Sequence, residues 1–154
     1  MLRKVVLLVF VLAIATIQGA MTAECSVPPQ FLFGDDNYIY CTGHTGVLFY
    51  ADKSSVNVME YEPPKYVISV DVVAASDMYK RSKIDLEPDR TNISEPKTYI
   101  FLYNWDNKEV YVLDEETQEW KFVNPNGTWA DSGIALSASR LAFKIAYGIY
   151  FLDA

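Results

Sequence analysis

The sequence predicts an all-β fold of antiparallel hairpin and meander units, with at most one short helix near residues 74–83. Three observations carry that expectation. Eleven tyrosines and eight phenylalanines accompany runs of valine and isoleucine, residues that fit a pleated, half-buried surface. The runs are short, and clusters of Gly, Pro, Asn and Asp separate them at hairpin-like intervals. One pattern of strand, turn and strand also recurs along the chain.

The chain opens on MLRKVVLLVFVLAIATIQGAMTA. Arg3 and Lys4 form a short basic region, Val5–Ile14 is uninterrupted apolar sequence, and small residues follow around Gly19–Ala23. This is the anatomy of a secretory signal peptide over residues 1–23. Polar residues begin at Thr16, so the apolar run is shorter than the ~18–20 residues needed to span a bilayer. Residues 24–154 then make one β-rich domain, enough chain for one core and too little for two. In the oxidising compartment that such a leader implies, the even cysteine count favours a disulfide between Cys25 and Cys41. It would tie the N-terminus to the first strand and contribute about 3 kcal/mol through loop entropy. A single histidine leaves no zinc site of Cys and His.

In chain order, Pro28-Pro29 gives an extended lead-in. Phe31–Phe33 is a short apolar run, and Gly34-Asp35-Asp36-Asn37 a turn. Tyr38–Cys41 and Val47–Ala51 read as strands joined by the Gly-bearing loop Thr42–Gly46. Val56–Tyr61 alternates apolar and polar residues and ends at Pro63-Pro64, and Tyr66–Val73 is a further β-rich run. Ala74–Lys83 is the helical candidate, on small residues, Met78 and a Lys80-Arg81 end. Residues 84–97, with Pro88, Asp89, Asn92 and Pro96, read as a long surface excursion. Thr98–Tyr103 is apolar on both parities, the pattern of a strand buried on both faces. Asn104-Trp105-Asp106-Asn107 turns the chain and Glu109–Leu113 returns it. Asp114–Thr117 turns it again into a strand at Glu119–Val123. Asn124–Gly127 is a turn. Trp129–Ser139 is open between loop, short strand and a helical turn. Arg140–Ala146 and Ile149–Leu152 read as a last hairpin around Tyr147-Gly148.

Tyr99–Asn124 is the fullest copy of the recurring unit. Aligned on aspartates, Val47-Leu48-Phe49-Tyr50-Ala51-Asp52 matches Glu109-Val110-Tyr111-Val112-Leu113-Asp114 and Gly148-Ile149-Tyr150-Phe151-Leu152-Asp153. Beyond the aspartate, Asp52-x-x-Ser55-x-x-Val58 lies over Asp114-x-x-Thr117-x-x-Trp120, and Pro63 over Pro125. Asp114 and, more weakly, Thr117 can accept backbone N–H groups within the turn, with Trp120 packing over the hairpin it follows. This arrangement resembles a kelch-type β-propeller blade, in which an aspartate-containing turn followed by Thr and Trp joins the middle strands. The resemblance covers Tyr38–Pro63 and Thr98–Asp153. It implies partial propeller-like sheets and structural roles for Asp52, Asp114, Thr117, Trp120 and Asp153. Leu102-Tyr103 and Cys41-Thr42 stand where kelch repeats carry a double glycine. The chain has room for about three units where propellers have four or more. Three arrangements stay open: part of a larger propeller, units that assemble between chains, or a small β-sandwich or barrel.

Lys and Arg number 13 against 20 acidic residues, and loss of Arg3 and Lys4 with the leader leaves 11, a net charge of about −9. That balance disfavours nucleic acid and anionic membrane surfaces. No Gly-x-Ser-x-Gly elbow, cofactor motif or metal motif occurs, and His44 is the sole candidate imidazole base. Asp35-Asp36-Asn37 and Asn104-x-Asp106-Asn107 carry oxygen ligands but lack EF-hand spacing and read as turns. Asn92-Ile93-Ser94 and Asn126-Gly127-Thr128 are N-glycosylation sequons in polar loops. Trp105, at a hairpin tip between Asn104 and Asp106, is the candidate stacking anchor for a sugar or a partner protein. The function expected is therefore that of a secreted, non-enzymatic binding protein that recognises an extracellular protein or glycan. No membrane insertion and no nucleic acid are expected, and self-association through unpartnered units is compatible. One alternative is a lipocalin-like carrier of a small apolar ligand, although no Gly-x-Trp motif stands near the mature N-terminus, and another is an extracellular hydrolase, which would need converging carboxylates.

Overall fold

Among the described residues, six strands run in strict meander order through a single antiparallel sheet, and one helix packs across it. The computed structural model describes residues 28–76 and 92–151. The strands are β1 (Tyr38–His44), β2 (Val47–Glu62), β3 (Lys65–Ser76), β4 (Lys97–Asn104), β5 (Glu109–Leu113) and β6 (Trp120–Phe122). Two helices follow, the single turn α1 (Trp129–Ser132) and the longer α2 (Ala135–Tyr147). β1 and β6 are opposite edges of the sheet, so the strands do not close into a barrel.

Turn chemistry sets the meander. Thr45 and Gly46, at φ 48° and 80°, form the two-residue loop between the paired residues His44 and Val47. Positive φ at both central residues is what matches a hairpin's right-handed twist. At the far ends of the strands, the Trp105 N–H donates to the Pro64 carbonyl at 2.8 Å, which joins the β2–β3 and β4–β5 hairpin tips.

Side-chain alternation then divides the sheet into two faces. The inner face contributes Ala51, Ile68, Val70, Val72, Phe101, Tyr103 and Val110, all buried against α2. From the helix side come Ala135, Ala138, Ala142 and Phe143, with Phe151 beyond its end. On the outer face, a second cluster of Leu32, Leu48, Tyr50, Val73 and Ala75 forms where the lead-in folds over one end of the sheet. The Tyr50 hydroxyl donates to the Pro29 carbonyl at 3.3 Å and fastens that lead-in.

Several local expectations change. Arg140–Ala146 is helical, not a strand: buried Ala135, Ala138, Ser139, Ala142 and Phe143 recur at helical spacing. Alanine, the best helix former, supplies most of that stripe and lets the helix approach the sheet closely. Within Trp129–Ser139, Thr128 and Asp131 make a capping box that starts α1. The helix expected at 74–83 is not at its beginning, because Ala74–Ser76 complete β3, paired to Val47–Phe49. The remainder of that expectation lies outside the described residues. Asn92–Ser94 cross back over the same strand end, with Ser94 N–H to Ala74 O at 2.8 Å and Ser76 N–H to Asn92 O at 3.0 Å.

The two described copies of the recurring unit take different shapes after their aspartates. Asp114 opens a turn, with the Gln118 N–H donating to its carbonyl at 2.8 Å. Asp52 instead lies within β2, which runs on through a register irregularity between Asp52 and Asn57. Ser55 stitches that bulge down: its hydroxyl donates to the Asp52 carbonyl at 2.7 Å and accepts the Asp71 N–H at 2.8 Å.

Candidate binding surface

The inner face is closed by α2 and one end of the outer face by the lead-in, which leaves the outer face of β3–β6 open. Strand register sets Glu60, Val67, Leu102, Tyr111 and Phe122 in one row across β2–β6. Beside that row, Ser69 pairs with Ile100, and Leu113 with Trp120. The rings of Tyr111 and Phe122 meet edge to face with centroids 5.6 Å apart. Phe122 is 54% exposed and Trp120 41%, although both belong to a strand only three residues long. Contiguous apolar exposure of this kind is uncommon on a water-facing surface and marks contact sites.

The turn at Asp114 holds the exposed strand in register. Its Oδ1 accepts the N–H groups of Glu116 at 3.0 Å and Thr117 at 2.9 Å, while Oδ2 pairs with the Lys121 ammonium. The Lys121 contact, then the backbone donors, keep the Asp114 carboxyl well below the usual carboxylate range. Lys121 and Val112 pair across β5 and β6, so both side chains fall on the inner side and Trp120 and Phe122 on the outer.

Acidic groups border the apolar row. Glu60, Glu62, Asp71 and Glu109 occupy outer-face positions, with Lys65 the single cation among them in the described strands. The Tyr111 hydroxyl donates to Glu109 Oε2 at 3.1 Å, and that hydrogen bond to a carboxylate pushes the phenol above its ordinary range. The surface is thus apolar in its middle and negative at its border.

The structure distributes the residues singled out by sequence. Trp105 is half-buried against the inner core, stacked on Phe143 with centroids 5.9 Å apart, and Lys108 Nζ stands 3.6 Å from its ring centre. Trp120 lies on the outer surface paired to Leu113. The Asp52 carboxylate accepts Asn37 Nδ2 at 2.7 Å and the Ser54 hydroxyl at 2.6 Å, so its polar capacity is used locally. Asn92 and Asn126 are both exposed. Cys41 sits at the bulge between Tyr40 and Thr42, its thiol half-buried against the inner core. Cys25, Asp153 and the whole of residues 1–23 lie outside the described residues.

His44 stacks on Trp129, with ring centroids 4.6 Å apart and 4° between planes, and its Nδ1 lies 3.2 Å from Thr45 Oγ1. Asp35 and Asn104 cap their own turns through the N–H groups of Asn37 and Asn107. Among the described residues no three His, Cys, Asp or Glu side chains converge to hold a metal ion. No helix among them is long and apolar enough to cross a membrane. A cleft of about 380 Å³ opens beside the start of α2, but the lysines that line it, Lys97 and Lys121, already pair with Glu115 and Asp114.

Tyr111, Leu102 and Phe122 were not singled out as site residues by sequence reasoning. For Leu102, the signal that could have found it was the double-parity apolar pattern of Thr98–Tyr103. It reads as a strand buried on both faces, yet Phe101 and Tyr103 are buried inside while Ile100 and Leu102 stay partly exposed outside. Comparison of the chain with protein-family models, with curated proteins and with solved structures finds no match.

Proposed function

We propose that the chain is a secreted, non-enzymatic binding protein whose contact surface is the outer face of β3–β6. The observation that carries this reading is the run of partly exposed Leu102 and Tyr111 into exposed Phe122, beside an exposed Trp120, while the opposite face is filled by α2. Flat, aromatic-rich sheet faces recognise proteins or glycans by stacking and burial, without chemistry of their own. The leader at residues 1–23, a Cys25–Cys41 disulfide and glycans on Asn92 and Asn126 belong to the same proposal. The exposure of both asparagines supports it. A carrier of an apolar ligand is the less favoured reading, because the sheet is open and side chains fill the space between it and α2.

The test compares wild type with a Trp120→Ser/Phe122→Ser double variant on an immobilised panel of extracellular proteins and glycans. Both side chains are exposed, so the variant keeps its fold, which circular dichroism checks. Loss of wild-type binding in the variant is the expected result. Binding that the double variant retains in full moves the contact surface elsewhere. A co-purifying apolar ligand seen by native mass spectrometry favours the carrier.

A further inference from the structure

Resting on the secreted reading, we infer that Tyr61 is a modification site whose phenol oxygen takes a sulfuryl group from a phosphoadenylyl sulfate donor. The transfer is made in the lumen of the secretory pathway by a sulfotransferase that selects tyrosines beside acidic residues. The sequence around the site is Met59-Glu60-Tyr61-Glu62-Pro63-Pro64. Of the described tyrosines Tyr61 is the most exposed, at 63%, and both of its chain neighbours are exposed glutamates.

The backbone makes the residue reachable. β1 pairs with β2 only as far as Asp52, whereas residues 57–62 pair with β3 alone. Among the described residues no strand covers the other side of that stretch. Tyr61 stands opposite Tyr66, one pair before Glu62 and Lys65 close the hairpin at Pro63-Pro64. Alternation sets the Tyr61 ring on the inner face and Glu60 and Glu62 on the outer. An enzyme gripping the free edge therefore meets the phenol on one side and two carboxylates on the other, and basic groups in its cleft complement them.

Other tyrosines lack this combination. Tyr103 is fully buried, and Tyr38, which follows Asp35-Asp36-Asn37, is half-buried against the outer cluster. The Tyr111 hydroxyl donates to Glu109, and the Tyr150 hydroxyl accepts from Lys144 Nζ at 2.9 Å. The corner around Tyr61 also has a group that suits the product. Its ring lies 5.5 Å from that of Tyr66 and 6.2 Å from that of Tyr147, between centroids. The Tyr147 hydroxyl is buried there without a partner among the described residues. Burial, then the phenols of Tyr61 and Tyr66, hold the Tyr147 phenol above its ordinary value, so the three rings turn their polar ends toward one another. A sulfate ester brings charged acceptor oxygens to a corner that holds an unpaired O–H donor.

In the transfer, the phenol oxygen bonds to sulfur as the bond from sulfur to the donor's phosphate oxygen breaks. Adenosine bisphosphate leaves with that electron pair, and the phenol proton passes to a base of the transferase. The ester adds a fixed negative charge between Glu60 and Glu62, with Lys65 the cation across the hairpin.

The full chain, expressed in a secreting eukaryotic cell line with radioactive sulfate and stripped of N-glycans, tests the inference. Trypsin releases residues 54–65, a fragment in which Tyr61 is the single tyrosine. That fragment should carry label and one added sulfuryl group in wild type and neither in Tyr61→Phe, which keeps the ring. Purified chain given a tyrosylprotein sulfotransferase and phosphoadenylyl sulfate should be modified on the same fragment. Glu60→Gln/Glu62→Gln should slow that reaction about tenfold or more. Secreted chain with no sulfate on the fragment overturns the inference and leaves the secreted reading standing. Chain retained in the cell with residues 1–23 attached overturns both. A mass gain that a phosphatase removes makes the group a phosphate and overturns the sulfate. Modification by the purified enzyme at an unchanged rate in the double glutamine variant overturns the recognition argued from Glu60 and Glu62.

Discussion

The Tyr103 hydroxyl donates a 2.7 Å hydrogen bond to the Ser139 carbonyl, a buried tie between the middle of the sheet and the middle of α2. Tyr103 is fully buried among Phe101, Phe143 and Phe151, so no water competes for the bond. Tyr103→Phe should cost about 1 kcal/mol. The loss stays near the net value of one hydrogen bond because Ser139 O keeps its place in the helix ladder. Burial also pushes the Tyr103 phenol well above its ordinary value of 10.0. Its contribution to stability is intact below that value and is lost as pH rises beyond it, because only the unfolded chain ionises there. Denaturant midpoints measured from pH 8 upward should fall less steeply in Tyr103→Phe than in wild type. Parallel falls would show that Tyr103 does not govern alkaline unfolding.

Tyr147 makes the opposite case on the same helix. Its hydroxyl oxygen is buried without a hydrogen-bond partner among the described residues, although its ring packs 4.8 Å from Phe143 and 5.5 Å from Tyr66. An unsatisfied buried hydroxyl costs about 1–3 kcal/mol, so Tyr147→Phe should raise the thermal midpoint or leave it unchanged. A clear fall in the midpoint would reveal a partner for that oxygen and refute the expectation.

How far the sequence could be read depended on what each signal measures. The strands at Val47–Ala51, Tyr66–Val73, Thr98–Tyr103 and Glu109–Leu113 were legible because β-branched and aromatic residues concentrate there between turn residues. α2 was not, because its buried stripe is mostly small residues, Ala135, Ala138, Ser139 and Ala142 beside Phe143, which hydrophobic counting barely registers, and Arg140–Ala146 alone passes for a strand. The bulge after Asp52 was hidden for another reason. Its Asp-Ser chemistry is that of a turn, and only pairing with β3 holds it within a strand. The open face could not be located from residue type at all. Trp120 and Phe122 are composed like core residues, and their exposure follows from which side α2 covers.

Lys108 sits at φ 54°, a left-handed conformation costing a non-glycine residue about 1–2 kcal/mol, and from there its ammonium caps the Trp105 ring. The two effects can be separated by substitution. Lys108→Ala keeps the backbone strain and loses the cation, so it should destabilise by about 0.5–1 kcal/mol. Lys108→Gly loses the cation but relieves the strain, and should match or exceed wild type. Equal denaturant midpoints for the alanine and glycine variants would show that the backbone at Lys108 carries no strain.

Cys41 allows the proposed bridge to Cys25 to be decided chemically. As a free thiol it is pushed up to about 12 by burial, so at neutral pH it holds almost no thiolate, the species that reacts. The reduced chain should therefore take label at Cys41 only after unfolding. Protein secreted from an oxidising compartment should behave differently if the bridge forms. It should take no label at either cysteine even when fully unfolded, and should gain two labels once a reductant is added. Peptide mapping without reduction should then recover Cys25 and Cys41 in one linked fragment. Unreduced, unfolded protein that labels at both positions would remove the disulfide. The attachment of the N-terminus would then rest on the Tyr50–Pro29 and Tyr40–Gln30 hydrogen bonds, the Phe31–Ile39 bridge and the packing of Leu32.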